Sequence, residues 1–138
     1  MVDTNVLLKR FSRIRTCVAA LETIRRKHSK EAFLKDDLMK AAAERNIQIA
    51  IQSVLDICSH VVADRKLELP DEGKHAIQIL ATHRIIPQRL AKTLIGMAGV
   101  RNILVHEYLE VDHDRLYSIM SRNLSDFEKF IGVISKLL

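Results

Sequence analysis

Tryptophan is absent from this 138-residue chain, and it holds only two prolines and four glycines. A fold built of hairpins needs those two residue types at its many turns, so their scarcity fits a helical protein better than a turn-rich β fold. Cysteine is equally scarce. Cys17 and Cys58 lie far apart and form no C-x-x-C pair, which reads as two reduced core thiols in a cytoplasmic protein. No stretch approaches the ~18 uninterrupted apolar residues expected of a membrane helix. Met1 to Lys9 lacks the basic, apolar and small-residue regions of a secretory leader. What remains is 48% apolar, enough for a single domain, residues 1–138, around one core without disulfides or a structural metal.

Positive charge is in excess, and it is uneven. The net charge is +5, yet residues 1–30 hold eight basic side chains (Lys9, Arg10, Arg13, Arg15, Arg25, Arg26, Lys27 and Lys30) against Asp3 and Glu22. That segment therefore carries +6 and the rest of the chain −1. A basic first helix attracts polyanions through a salt-sensitive term that is blind to sequence. The plainer reading of each such residue is a solvated helix face that keeps the protein soluble.

Apolar residues recur at helical spacing along almost the whole chain. Val6, Leu7, Phe11, Ile14, Val18, Leu21 and Ile24 form a first stripe, with Asp3 or Thr4 as its N-cap. A short turn is expected around Lys30–Leu34, then a long helix from Asp36 to Ala63 offering Leu38, Ala41, Ala42, Ile49, Val54, Ile57 and Val61 to the core. Residues 64–73 read as a loop, 74–82 as a third helix, and Pro87 as the first residue of a fourth. Asp112 is the expected N-cap of a fifth helix carrying Leu116, Ile119, Met120, Leu124, Phe127, Ile131 and Ile134. The prediction is an all-α bundle of about five helices.

The fourth helix runs into RNILVHEY, residues 101–108, which concentrates the chemistry. Arg101 keeps its proton at any physiological pH, whereas His106 gains or loses one near neutrality. Together they suit a site that holds a phosphate and moves protons around it. On a regular helix Asn102 and His106 share a face, while Arg101 is rotated about 140° from His106. Tyr108 falls on the far side. The four side chains converge only if the helix ends near Glu107, or if a second copy of the chain supplies the facing half. Taken singly, an arginine at a helix end pairs with carbonyls or carboxylates, and His28, His75, His83 and His113 read as surface or satisfied polar groups.

A second constellation lies on the long helix, where Gln48, Gln52, Asp56 and His60 follow one another at intervals of four, with Glu44 and Arg45 one turn earlier. Apolar residues surround the row almost entirely, so it is expected to be buried and hydrogen-bonded against the motif helix or a partner subunit. Asp56 and His60 could contribute to a metal site, but no third ligand stands at useful spacing.

RNILVHEY resembles the R-x4-H-x-Y signature of the HepT group of HEPN proteins. Glu44–Ala63 (ERNIQIAIQSVLDICSHVVA) is similar to the second helix of that group, and IIPQRLAKTLIGMAGVRN to the segment leading into its motif. The likeness covers most of the chain. It implies an up-and-down helical bundle, a homodimer whose motif helices meet around a cleft, and an RNA endonuclease toxin of a type VII-like toxin–antitoxin module. The small residues of the Gly96–Gly99 segment permit close helix approach, so that segment is expected in the dimer interface with the motif helix. By that resemblance Arg101 and His106 are the catalytic pair, with Asn102, Asp56 and His60 in support. Tyr108 is the residue to which a nucleotidyltransferase antitoxin of the MntA type transfers AMP. The implied cleavage uses RNA's own 2′-hydroxyl and calls for no metal or other cofactor. The alternative function is a non-catalytic HEPN partner that binds a nucleotidyltransferase and contributes to its nucleotide site.

Overall fold

A computed structural model describes residues 3–106 and 109–138, and among these it contains seven helices and no strand. They are α1 (Thr4–Lys27), α2 (Lys30–Leu34), α3 (Asp37–Asp64), α4 (Gly73–Thr82), α5 (Gln88–Val105), α6 (His113–Arg122) and α7 (Leu124–Ser135). Each start has a local chemical cause. The Asp3 carboxylate accepts the backbone N–H groups of Asn5 and Val6, and Ser29 Oγ accepts that of Ala32. Asp36 caps α3 through Met39 N at 3.1 Å, and Asp112 caps α6 through Arg115 N at 3.1 Å, as its sequence position predicts. Arg25, Arg26 and Lys27 close α1 with positive charge against its carbonyl end.

The stripes pack as their period demands. Leu7, Phe11, Ile14, Cys17, Leu21 and Ile24 of α1 are buried, against Ala43, Ile47, Ala50, Ile51, Val54, Ile57, Cys58 and Val61 of α3. Helix α3 is central, touching α1, α2, α4, α5 and α6. By length and composition it could cross a membrane, but it serves as the core helix of the bundle. Both cysteines are buried and unpaired, and burial pushes the Cys58 thiol far up.

Three expectations change. Leu38 and Ala41, placed in the core on sequence, are both exposed, Leu38 at 78%. They stand five and two residues before Ala43, about 140° and 160° round the helix from the buried face. Pro87 is the N-cap and not the first helical residue: its ψ of 140° is extended, and its carbonyl accepts Ala91 N at 3.0 Å. The expected fifth helix is broken in two at Asn123, whose side chain turns to Asp126 Oδ2 at 3.1 Å instead of extending the helix. The apolar pattern survives the break, since Leu116, Ile119, Met120, Leu124, Phe127, Ile131 and Ile134 are all buried.

The α3 cap is a good place to test this account of the fold. Asp36→Ala is expected to cost about 1 kcal/mol in urea unfolding, and Asp36→Asn almost nothing, because Asn caps as well as Asp. Equal losses from both variants would assign the effect to charge, through the nearby His28 Nε2 at 3.8 Å, and not to the cap.

Candidate active site

Helix α5 ends where the motif needs it to end. Val105 is its last residue, and His106 is its C-cap in extended conformation (φ −103°, ψ 97°), with its backbone N–H on Ile103 O at 3.2 Å. Arg101 and Asn102 remain on the last full turn. His106 is exposed, and its backbone departs there from the helix that carries Arg101. Glu107 and Tyr108, including the modification assigned to Tyr108, lie outside the described residues.

Arg101 sits at the meeting of two clefts. One, of 250 Å³, lies between α3, the start of α4 and α5, and is lined by Gln52, Asp56, Ser59, Lys74, Arg101 and Asn102 among others. The other, of 300 Å³, opens between α1, α3 and α5, where Arg10, Arg13, Arg45 and Arg101 face Gln52 and Asp56. Arg101 Nη1 donates to Asn102 Oδ1 at 3.2 Å, so Asn102 orients the arginine. Two enclosed polar atoms, Arg101 Nε and Gln52 Oε1, have no hydrogen-bond partner among the described residues. Enclosed polar groups of this kind carry a desolvation cost, and a ligand able to accept from the one and donate to the other relieves it.

The polar row of α3 is half-buried. Gln52 Nε2 donates to Asp56 Oδ1 at 2.9 Å, and Arg10 Nη1 to Asp56 Oδ2 at 3.1 Å. His60 Nε2 accepts the backbone N–H of Asp3 at 3.3 Å, and Glu44 Oε1 lies 3.8 Å from His113 Nε2. The row is therefore bonded mainly to α1, where the sequence reading placed the motif helix or a partner. Asp56 and His60 are each engaged with α1 and do not act as a pair. Among the described residues no three His, Cys, Asp or Glu side chains gather as a metal site. Of the sequence-predicted residues, the structure brings Arg101, Asn102 and Asp56 to one cleft, and leaves His60 one turn further along α3 and His106 at the end of α5.

Sequence reasoning missed Arg10 and Lys74. The signal for Arg10 was its place in the basic run of α1, but nothing in the spacing showed which acid it would meet. Lys74 comes to the cleft only because the 65–72 loop turns back onto α3 and α5. The other histidines are satisfied as read: His28 Nδ1 is 3.0 Å from Ile24 O, His83 Nε2 is 2.6 Å from Glu68 Oε1, and His75 Nδ1 accepts Asp71 N at 3.1 Å.

An all-α bundle with an arginine in a basic cleft and a histidine at the end of the same helix defines a class. The chain belongs to the ribonuclease HepT-like family, whose model matches residues 14–134. It is 28% identical over 130 residues to the mRNA nuclease HepT of Shewanella oneidensis, covering 94% of this chain and 96% of that one. It is 26% identical over 110 residues to the tRNA nuclease HepT of Aphanizomenon flos-aquae, covering 80% and 75% respectively. Among solved structures, the tri-AMPylated HEPN toxin of Shewanella oneidensis in complex with its MNT antitoxin superposes with a TM-score of 0.90, at 27% identity over 97% of this chain and 99% of that one.

Proposed function

We propose that this chain is the RNA endonuclease toxin of a cytoplasmic toxin–antitoxin pair, a single HepT-like domain silenced when a nucleotidyltransferase antitoxin of the MntA type attaches AMP to it. The observation that carries the reading is the unpaired, enclosed Arg101 Nε beside Gln52 Oε1 in a cleft rich in arginine. A phosphodiester supplies acceptors for the first, and a ribose hydroxyl supplies a donor for the second.

The chemistry follows from RNA itself. His106 removes the proton of a 2′-hydroxyl, the 2′-oxygen attacks the adjacent phosphorus, and the 5′-oxygen of the next nucleotide leaves with a proton, giving a 2′,3′-cyclic phosphate. Arg101 holds the phosphate oxygens on which charge accumulates, and Asn102 fixes the guanidinium. Asp56 anchors Arg10 and Gln52 beside the cleft, and His60 ties the start of α1 to α3. The test is incubation of the purified protein with total cellular RNA, with and without EDTA, beside His106→Ala. Wild type is expected to fragment RNA under both conditions and the variant under neither. Loss of cleavage in EDTA overturns the metal-free mechanism, and fragments from His106→Ala overturn the assignment.

A homodimer belongs to the same proposal, because it brings two copies of His106 to one cleft, one to take the proton and one to give it back. Gly96 is covered by its own chain, since Arg115 Nη2 donates to its carbonyl at 3.3 Å. Gly99 is open, with nothing within 4 Å of an added Cβ, and Val105 and Leu109 nearby in sequence are 37% and 40% exposed. Sedimentation equilibrium is expected to give about twice the 15.8 kDa chain mass. Gly99→Leu should shift that value towards the monomer without loss of helicity. A strictly monomeric wild type that still cuts RNA would end the shared-cleft model.

A further inference from the structure

The 300 Å³ cleft holds more positive charge than Arg101 of the catalytic pair alone supplies. Four guanidinium groups, Arg10 and Arg13 from α1, Arg45 from α3 and Arg101 from α5, face a single carboxylate, Asp56. Both oxygens of that carboxylate are occupied, one by Arg10 and one by Gln52. Among the described residues Arg13, Arg45 and Arg101 have no ion-pair partner. Some cations elsewhere on the surface do meet an acid: Arg15 pairs with Glu128 at 2.7 Å, Lys30 with Asp114 at 2.8 Å, Lys35 with Glu31 at 3.1 Å. Like charges brought together by three different helices repel, and a stability-driven surface would interleave acids among them. Arg13 and Arg45 are exposed, so their side chains can reach a ligand without unpacking the core.

The cleft also continues. A groove of 710 Å³ between α1 and α3 shares Arg10, Arg13 and Ile49 with it and extends to Lys9, Ser12 and Thr16. The result is a basic channel that starts at Arg101 and runs back along α1, with hydroxyls and the Asn46 amide beside it. Its continuity suits an extended chain of phosphates better than a compact anion. It also gives a position to Lys9, Arg10 and Arg13 of the basic residues in 1–30, which charge counting alone could not locate.

We propose that Arg13 and Arg45, continued by Lys9 along α1, form a track for the phosphates of single-stranded RNA leading away from the phosphate held at Arg101. The proposal rests on the ribonuclease reading for the identity of its ligand. Its roles are distinct from those of Arg101 and His106: these side chains position the strand and touch no reacting atom.

The experiment measures binding of a short, fluorescein-labelled 2′-O-methyl oligouridylate, which lacks the attacking hydroxyl, by anisotropy over a range of salt concentrations. Arg13→Gln and Arg45→Gln are each expected to raise Kd about fivefold near physiological salt and to flatten the slope of log affinity against log salt by about 0.7. Lys129→Gln, on α7 away from the groove, should match wild type in both. Wild-type affinity and slope in Arg13→Gln and Arg45→Gln would overturn the track, while RNA cleavage by the wild type would still uphold the ribonuclease reading. Variants that keep RNA affinity but lose capture by the antitoxin would show a protein interface and also overturn it. A wild type that cuts no RNA, yet binds the oligonucleotide through Arg13 and Arg45, would support the track and sink the nuclease.

Discussion

Cells expressing the Arg101→Ala or the His106→Ala chain are expected to grow normally under induction that arrests cells expressing the wild type. The purified variants should cut RNA at least about a hundredfold more slowly, the size of effect seen when a positioned proton carrier or a charge-stabilising donor is removed. Folding should scarcely change. His106 is the exposed cap of α5, and the Arg101 guanidinium bonds only its neighbour Asn102 among the described residues. Removing Arg101 also removes an unpaired enclosed nitrogen, so its melting temperature should stay level or rise slightly. The two variants differ in one informative respect. Arg101→Lys should restore part of the activity by charge alone, whereas nothing but histidine serves at 106 near neutral pH. If either alanine variant remains as toxic as wild type, the catalytic pair is wrongly assigned.

The second large effect is expected at Tyr108. A Tyr108→Phe chain should stay folded and toxic but escape neutralisation when the antitoxin is co-expressed. Mass spectrometry of the co-expressed wild type should find AMP on Tyr108. An AMP group adds negative phosphate charge, which repels the phosphates of RNA, together with the bulk of a nucleotide. The other tyrosine is a poor acceptor in this fold. Tyr117 is half-buried, its hydroxyl donates to His28 O at 2.8 Å, and its ring packs on Phe33 with centroids 5.4 Å apart. Modification there would break that bond and displace α6 from α2. AMP found on Tyr117, or normal neutralisation of Tyr108→Phe by a covalent route, would overturn the regulatory half of the proposal.

The helices were largely legible because period and caps are local signals. Asp36 and Asp112 announce the starts of α3 and α6, and the α7 stripe is readable down to Ile134. The break at Asn123 was not legible, since its apolar frame continues undisturbed and only a short-range bond to Asp126 decides it. Leu38 misled because a lone leucine near a helix start resembles core until the facing helix is known. At the site, the Arg101 and His106 spacing was visible in the motif. The partners were not. That Asp56 meets Arg10 across 46 positions, and that Lys74 reaches the same cleft, are facts of helix packing that no local pattern encodes.

Helix α1 separates two properties onto opposite sides. Its inward stripe, Leu7 to Ile24, holds the bundle together, while Lys9 and Arg13 look outward into the groove. Charges there act at a distance, through the electric field an approaching polyanion meets before it touches anything. On the proposed track, capture of RNA is governed by encounter frequency, which falls steeply as ionic strength rises, while the bond-breaking step is left to the residues proposed at the end of α5. Outward substitutions on α1 can make such a protein a faster or slower hunter of its substrate without altering how firmly it folds or how it cuts.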